Sequence, residues 1–373
     1  MSPILAPLSD HSMNAPKPPR NLRYWLSRMA LLGVTCLVCL VLLEIAVRVF
    51  LPWYNPSTQL SLQRNEAGIV IGPSNTLFRQ GAQKGDFLIT VRFNRHGFRD
   101  TKDYAQATAN DVFVIGDSYS MGWGVEEHER YGNLLEERFG ARFYNFCLAE
   151  DIRGYARTLQ YVERQGTPIR HLVIGLCMEN DLWDYSSITN THAVYQTHMV
   201  STFRQNVAAW FRKRSALWNF CSHTLQKMPV IRQFFEKIGI SRNIDQLTHK
   251  NEATPEILRS SRDELVRFAT NYNAVVLIVP SRALWAGKNV ETERKVHEHF
   301  TSMLRDAGLD LVDMKPIQEK SGDPGSFYFK TDPHWNPCGQ ALAAQALADY
   351  FARSEKWKWI MAGATNRPAA PSP

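Results

Sequence analysis

Ser118, Asn180, Asp332 and His334 are scattered over more than two hundred residues, yet together they are what acyl transfer at a hydroxyl requires. A serine hydroxyl is a weak nucleophile until an imidazole takes its proton. The imidazole needs a carboxylate to fix its tautomer and to stabilise its charged form. The tetrahedral intermediate needs donors already aimed at its oxyanion. In this reading Ser118 supplies the hydroxyl, His334 the base and Asp332 the orienting carboxylate. The Ser118 N–H, the Asn180 side-chain amide and the Gly154 N–H are the expected oxyanion donors. Taken singly, each residue has a plainer explanation: Ser118, Asp332 and Asn180 as cap or turn residues, His334 as a satisfied turn histidine.

The elements that must position these residues are legible in the apolar pattern. Val112-Phe113-Val114-Ile115 reads as a fully buried strand broken by Gly116, with Asp117-Ser118 at its end. The Gly-rich segment 121–124 is expected to leave that strand without a regular helix at once, and Glu126 to Phe139 reads as the helix that follows. Further strands are expected over 142–146, 171–176, 274–279 and 309–312. Helices are expected over about 154–165, 254–271, 291–306 and 339–351, and a helical insertion over about 186–250 contains Phe203 to Cys221 and Val230 to Ile238. Strands alternating with helices predict an α/β protein with a doubly wound parallel five-stranded sheet. Right-handed crossovers then place Ser118, Asn180, Asp332 and His334 on one edge of that sheet, where such sheets bind their ligands. Ahead of it, Phe87–Phe93 reads as a strand and Asn94-Arg95-His96-Gly97 as a turn, in a strap over 52–110.

With these motifs in order the chain resembles the SGNH (GDSL-like) hydrolase superfamily over about 85–353. Gly116-Asp117-Ser118-Tyr119 is similar to its first block, Asn145 to Gly154 to the second, Asn180-Asp181 to the third and Asp332-Pro333-His334-Trp335 to the last. The segment 94–99 looks like the one preceding the first block in membrane-anchored members near polysaccharide-synthesis systems. The chain departs from the pattern in three places. Met178 stands where the third block usually has Gly, Glu150–Arg153 lengthens the second block, and the Asp stands two residues before the His. The resemblance implies a flavodoxin-like sheet of order 2-1-3-4-5 and an esterase or O-acetyltransferase acting on an exported or cell-envelope polysaccharide. In that order Cys147 and Cys177 flank the first strand, on the order of 10 Å apart, which implies free thiols. The apolar N-terminal run and its charged pair, Glu44 and Arg48, lean towards a membrane partner that supplies acyl groups. Two other classes stay open: a non-catalytic glycan-binding or assembly component, and a lipase.

Composition sets the remaining bounds. Net charge is +7, with Lys17, Arg20, Arg23 and Arg28 near the N-terminus and no other basic cluster with interleaved aromatics, so no nucleic-acid partner is expected. The six cysteines show no metal-ligand spacing, and neither a metal nor a cofactor is expected. Residues 1–28 read as a Pro-rich disordered cytoplasmic tail, 29–51 as a membrane-spanning helix, 111–361 as the catalytic domain and 362–373 as a frayed end. The arginines before the span place the N-terminus in the cytoplasm and the rest in the periplasm. A cleaved signal peptide is the other reading of the span. Glu44 and Arg48 inside it, four apart, are expected to pair with each other, or else to contact a membrane partner. Trp123, Trp183, Tyr185 and Trp335 are candidates either for stacking on sugars or for the core. Asp181 and Asp184 read as solvated loop residues.

Overall fold

The computed structural model describes residues 22–58, 60, 62–82, 85–186, 203–226, 253–286 and 289–363. It opens with a long helix, α1 (Leu22–Phe50), followed by a two-residue ladder, β1 (Gln63–Arg64) with β2 (Val70–Ile71), and a hairpin, β3 (Thr76–Gly81) with β4 (Leu88–Phe93). Then come β5 (Val112–Gly116), a single turn α2 (Ser118–Met121), α3 (Tyr131–Phe139), β6 (Phe143–Asn145), α4 (Ile152–Glu163) and β7 (His171–Cys177). Two helices, α5 (Phe203–Arg212) and α6 (Ala216–Gln226), precede α7 (Pro255–Ala269) and β8 (Asn273–Val279). The chain ends with α8 (Val290–Asp306), β9 (Leu311–Asp313), α9 (Met314–Glu319), α10 (Pro337–Arg353) and α11 (Lys358–Gly363).

The five strands β6-β5-β7-β8-β9 form one sheet in that order, every pair parallel, as the alternation of strand and helix patterns predicts. β5 and β7 are buried at every position, the mark of a sheet covered on both faces. The helices start where the sequence offers caps: Asp151 for α4, Thr254 ahead of Pro255 for α7, and Asn336 ahead of Pro337 for α10. Cys147 and Cys177 are buried free thiols just past or at the ends of β6 and β7, the strands that flank β5.

Several boundaries differ from expectation. The helix over 126–139 is a 3-10 turn at 127–129 and then α3, because Arg130 is extended to aim its guanidinium inward. The chain does form one helical turn, α2, directly after Asp117, since that side chain caps it. The insertion helix read through to Cys221 breaks at Lys213–Ser215 into α5 and α6. The Val230–Ile238 helix and both terminal tails, apart from residues 22–28 and 362–363, lie outside the described residues.

The strap shares the main core. Ile69, Val91, Phe93 and Phe98 are buried in the same cluster as Phe113 and Phe146, and the Phe98 and Phe146 rings lie 4.9 Å apart. The turn expected at Asn94 forms: its Oδ1 accepts the His96 and Phe98 N–H groups, and Gly97 takes φ +81° with the Gly72 carbonyl where a Cβ would stand. Arg99, fully buried, ties the strap to the segment that follows β5. Its guanidinium donates to the Met121, Gly122 and Val125 carbonyls, and Arg130 donates to its own carbonyl at 2.6 Å. Burial first, and then the neighbouring Arg130 charge, push Arg99 down to about 9. Arg99→Met removes those bonds, leaving the Gly122 carbonyl to the Val125 N–H and the Met121 carbonyl to a long contact from Arg130. Charged hydrogen bonds contribute about 1.5–3 kcal/mol each, so a stability loss of roughly 3 kcal/mol or more is expected. Urea unfolding that finds a loss below 1 kcal/mol would show that the loop does not depend on this residue.

Candidate active site

The end of β5 and the turn after it are built by close approach. Gly116 pairs with Gly175 of β7, and α2 lies directly over the pair. A Cβ on Gly175 would stand 1.9 Å from the Ser120 Oγ, and one on Gly116 would stand 2.5 Å from it. Only glycine at both positions lets α2 sit low enough to start at Ser118. Asp117 caps it, accepting the Tyr119 N–H at 2.9 Å. Ser118 is therefore the first residue of the turn, where a backbone N–H has no intrahelical acceptor.

The partner loop comes from the far end of the chain. Tyr328 and Trp335 form an antiparallel bridge, and the Phe329 N–H donates to the His334 carbonyl at 3.0 Å, closing 328–335 into a narrow loop. The Asn336 side chain fixes its base by donating to the Ser326 and Tyr328 carbonyls. Across the loop, the strap's Asp86 accepts from the Thr331 N–H at 2.9 Å. His334 is thereby held so that its Nε2 lies 2.7 Å from the Ser118 Oγ, and its Nδ1 lies 2.6 Å from the Asp332 Oδ1.

The two-residue spacing of Asp332 and His334 has a local cause. Asp332 Oδ1 also accepts the His334 backbone N–H at 3.0 Å, an Asx-type turn, so one oxygen shapes the loop and orients the ring. The other oxygen accepts the Trp123 indole N–H at 3.2 Å, and Arg282 holds the Asp332 carbonyl at 2.9 Å. Burial alone would raise the Asp332 carboxyl, but the hydrogen bond and charge of His334, with the His334 and Trp123 N–H groups, hold it below its ordinary value. Trp123 stacks on the imidazole at 5.3 Å between centroids, and Tyr119 flanks it at 4.9 Å while donating its hydroxyl to the Pro333 carbonyl at 2.7 Å.

Asn180 reaches the same edge from the end of β7. Its amide donates to Asp117 Oδ2 at 3.3 Å, so Asp117 ties the Ser118 turn to the Asn180 amide. Asp181 corrects an expectation. It is fully buried rather than solvated, because its carboxylate accepts the Cys177 N–H at 2.7 Å and the Tyr155 hydroxyl at 3.0 Å, bending the chain back after β7. Gly154 corrects another. Its N–H donates to Asp151 Oδ1 at 2.8 Å as the cap bond of α4, so it is already committed. The glycine is required there for packing: a Cβ would stand 2.5 Å from the Glu150 Cβ.

Of the candidate sugar platforms, Tyr185 and Trp335 are buried core residues, and one face of Trp123 is taken by His334. Trp183 is half-buried and donates to the Asn180 carbonyl at 2.5 Å. The positioning roles of Asp117, Tyr119 and Trp123 were not read from sequence. A cap residue directly before Ser118 was the available signal for the first.

Asp117 and Asp181 are two buried carboxylates behind one turn. Burial raises both, against the hydrogen bonds each accepts and, for Asp117, the His334 charge; Asp117 raises Asp181 further. The folded protein therefore holds protons that the unfolded chain releases from about pH 4, so their contribution to stability declines as pH rises above that value. Asp181→Asn keeps an acceptor for the Cys177 N–H and removes one buried charge. Its melting temperature is expected to fall less between pH 5 and pH 8 than that of the unsubstituted chain; equal falls would contradict this assignment.

Residues 242–367 match the family model described as "SGNH hydrolase-like domain, acetyltransferase AlgX". Over that stretch the chain is similar to an SGNH hydrolase-like domain. Its five-stranded parallel sheet and order are those expected from the resemblance. A curated relative of the chain is the Pseudomonas putida protein described as "probable alginate O-acetylase AlgJ", 30% identical over 124 residues, 32% of this chain and 31% of the relative. The match thus spans about a third of that protein's length. Among solved structures, a G-D-S-L family lipolytic protein from Veillonella parvula is 12% identical, covering 65% of this chain and 99% of that one at TM-score 0.35. A family 2 carbohydrate esterase from Corynascus thermopiles is 13% identical, covering 71% and 69% at TM-score 0.33.

Proposed function

We propose that this chain is a membrane-anchored periplasmic serine acyltransferase or esterase that moves a short acyl group, acetyl in the first place, on a polysaccharide. The observation that carries the reading is the continuous relay from Ser118 Oγ through His334 to Asp332, with contacts of 2.7 and 2.6 Å. In this reading residues 111–361 are the catalytic domain, 52–110 the strap that braces it, and α1 an uncleaved anchor. The glycan class is supported by the acetyltransferase family model and by the alginate O-acetylase relative.

The relay assigns the steps. His334 Nε2 takes the Ser118 proton as Oγ bonds to the acyl carbonyl carbon. The oxyanion that forms is met by the Ser118 N–H and the Asn180 amide. His334 then gives its proton to the leaving oxygen, and the acyl group stays on Ser118 as an ester. A sugar hydroxyl or a water, deprotonated by the same imidazole, attacks that ester and releases Ser118. Asp332 keeps the imidazole in the tautomer that presents a free Nε2, and Trp123 keeps Asp332 in place.

The full chain in detergent, given 4-nitrophenyl acetate and a long-chain ester with and without oligosaccharide acceptors, tests this. Acetate release or transfer, lost in Ser118→Ala together with the acetylated peptide, supports it. Preference for the long-chain ester would point to a lipase. No turnover and no acylated Ser118 with any donor would favour the non-catalytic binding component.

A further inference from the structure

The charged pair in the apolar helix has a partner within the chain. Arg48 and Glu44 pair at 2.7 Å, as expected, but the Glu44 carboxylate also accepts from the Ser215 hydroxyl at 2.8 Å and from the Ala216 and Leu217 N–H groups at 2.9 and 2.8 Å. Glu44 thus caps the start of α6. Arg48 donates to the Arg214 carbonyl at 2.7 Å, and Asn219 to the Tyr54 carbonyl at 2.9 Å. Val47, Tyr54 and Ala216 form a small buried cluster of their own with Leu51 and Phe220 against it. The α5–α6 hairpin is therefore fixed to the last two turns of α1.

Its position relative to a bilayer follows from length. A hydrocarbon core about 30 Å thick takes about 20 helical residues at 1.5 Å each. With Tyr24 and Trp25, both exposed, at one boundary, residues 24–43 fill the core and Glu44 falls at the other. Arg28 folds back over the Tyr24 ring at 4.3 Å, towards the near interface. On this placement the core holds 24–43 in place of the expected 29–51, and Glu44 and Arg48 lie outside it.

Just ahead of the Arg214 carbonyl that Arg48 holds, α5 leaves Val207, Trp210 and Phe211 exposed, and the last turns of α1 leave Ile45, Val49 and Phe50 exposed. Exposed Arg212, Lys213 and Arg214 follow directly, and the Arg214 guanidinium lies 4.7 Å from the Trp210 ring centroid. This aromatic and basic run is one the composition reading passed over. Aromatics beside cations at one depth match the boundary of a membrane rich in anionic headgroups.

We infer that α5 lies in the headgroup layer of the bilayer that α1 crosses, with Val207, Trp210 and Phe211 against acyl chains and Arg212, Lys213 and Arg214 among anionic phosphates. The inference rests on the reading of α1 as an anchor. It gives the insertion, which leaves the sheet beyond Asn180, a membrane-resting foot.

The full chain in nanodiscs of phosphatidylethanolamine and phosphatidylglycerol, containing a lipid with a photoactivatable acyl chain, tests it by mass-spectrometric mapping of adducts. Adducts on α1 and on residues 207–211 are expected. Glu44→Gln should lower the α5 yield several-fold with the α1 yield unchanged, and Trp210→Glu, an exposed position, should do the same without touching the clamp. Adducts on α1 with none on α5, or crosslinks from α5 to a second copy or another protein instead of lipid, would overturn the inference. Absence of adducts on both helices would overturn the anchor reading and the inference with it.

Discussion

Asp332→Asn is expected to lower turnover of an acetyl ester by about 10⁴-fold, less than the loss in Ser118→Ala, with KM and melting temperature nearly unchanged. Both oxygens of Asp332 face donors. Oδ1 accepts the His334 Nδ1–H and the His334 backbone N–H, and Oδ2 accepts the Trp123 indole. An asparagine must turn its amide nitrogen towards one side. Towards His334, it forces the proton onto Nε2, so the imidazole cannot accept from Ser118. Towards Trp123, two donors meet, and no negative charge remains to stabilise the imidazolium. Neither flip restores the relay. The depressed pKa of Asp332 adds a sign. In the folded protein its carboxylate outlasts that of an ordinary aspartate and is lost only as pH falls through the lower folded value. Turnover within tenfold of the unsubstituted chain in Asp332→Asn would remove this carboxylate from the mechanism.

The parts of this site that were legible in sequence are those fixed by local rules. Strand β5 shows as an unbroken apolar run, and Ser118 directly follows the Gly116-Asp117 that ends it. The sheet order followed from the resemblance once the strands alternated with helices. The pairing of Glu44 with Arg48 followed from their four-residue spacing. What was missed depends on contacts across distant segments. Gly175 looks like an ordinary residue in an apolar strand, and only the height of α2 over β7 makes it indispensable. Asp181 is polar and sits in a turn, so its type argued for solvent. Two donors, the Cys177 N–H of β7 and the Tyr155 hydroxyl of α4, bury it instead. Gly154 was placed by block resemblance, which cannot show that its N–H is already used by Asp151 three residues earlier. The reach of Glu44 to α6, more than 170 residues on, has no signature in either segment.

Removing the Asn180 amide should be the second largest effect. Asn180→Ala is expected to cost 10²–10³-fold in kcat, about 3–4 kcal/mol of transition-state stabilisation, with little change in KM. With Gly154 committed to its cap, the proposed oxyanion site has the Ser118 N–H and this amide, so the loss should fall at the upper end. Asp117 makes the test sharper. Its Oδ1 accepts the Tyr119 N–H and its Oδ2 accepts the Asn180 amide. Asp117→Asn can keep the cap on α2, but it then turns an N–H₂ towards the Asn180 N–H₂, and the Asn180 side chain must rotate away. A positioning role predicts a loss in kcat rather than KM. It also predicts that Asp117→Asn costs several-fold less in the Asn180→Ala background than in the unsubstituted chain, because there is no amide left to misplace. Additive losses in the double variant would mean that Asp117 acts only by holding α2, and a kcat unchanged in Asn180→Ala would remove the amide from the oxyanion site altogether.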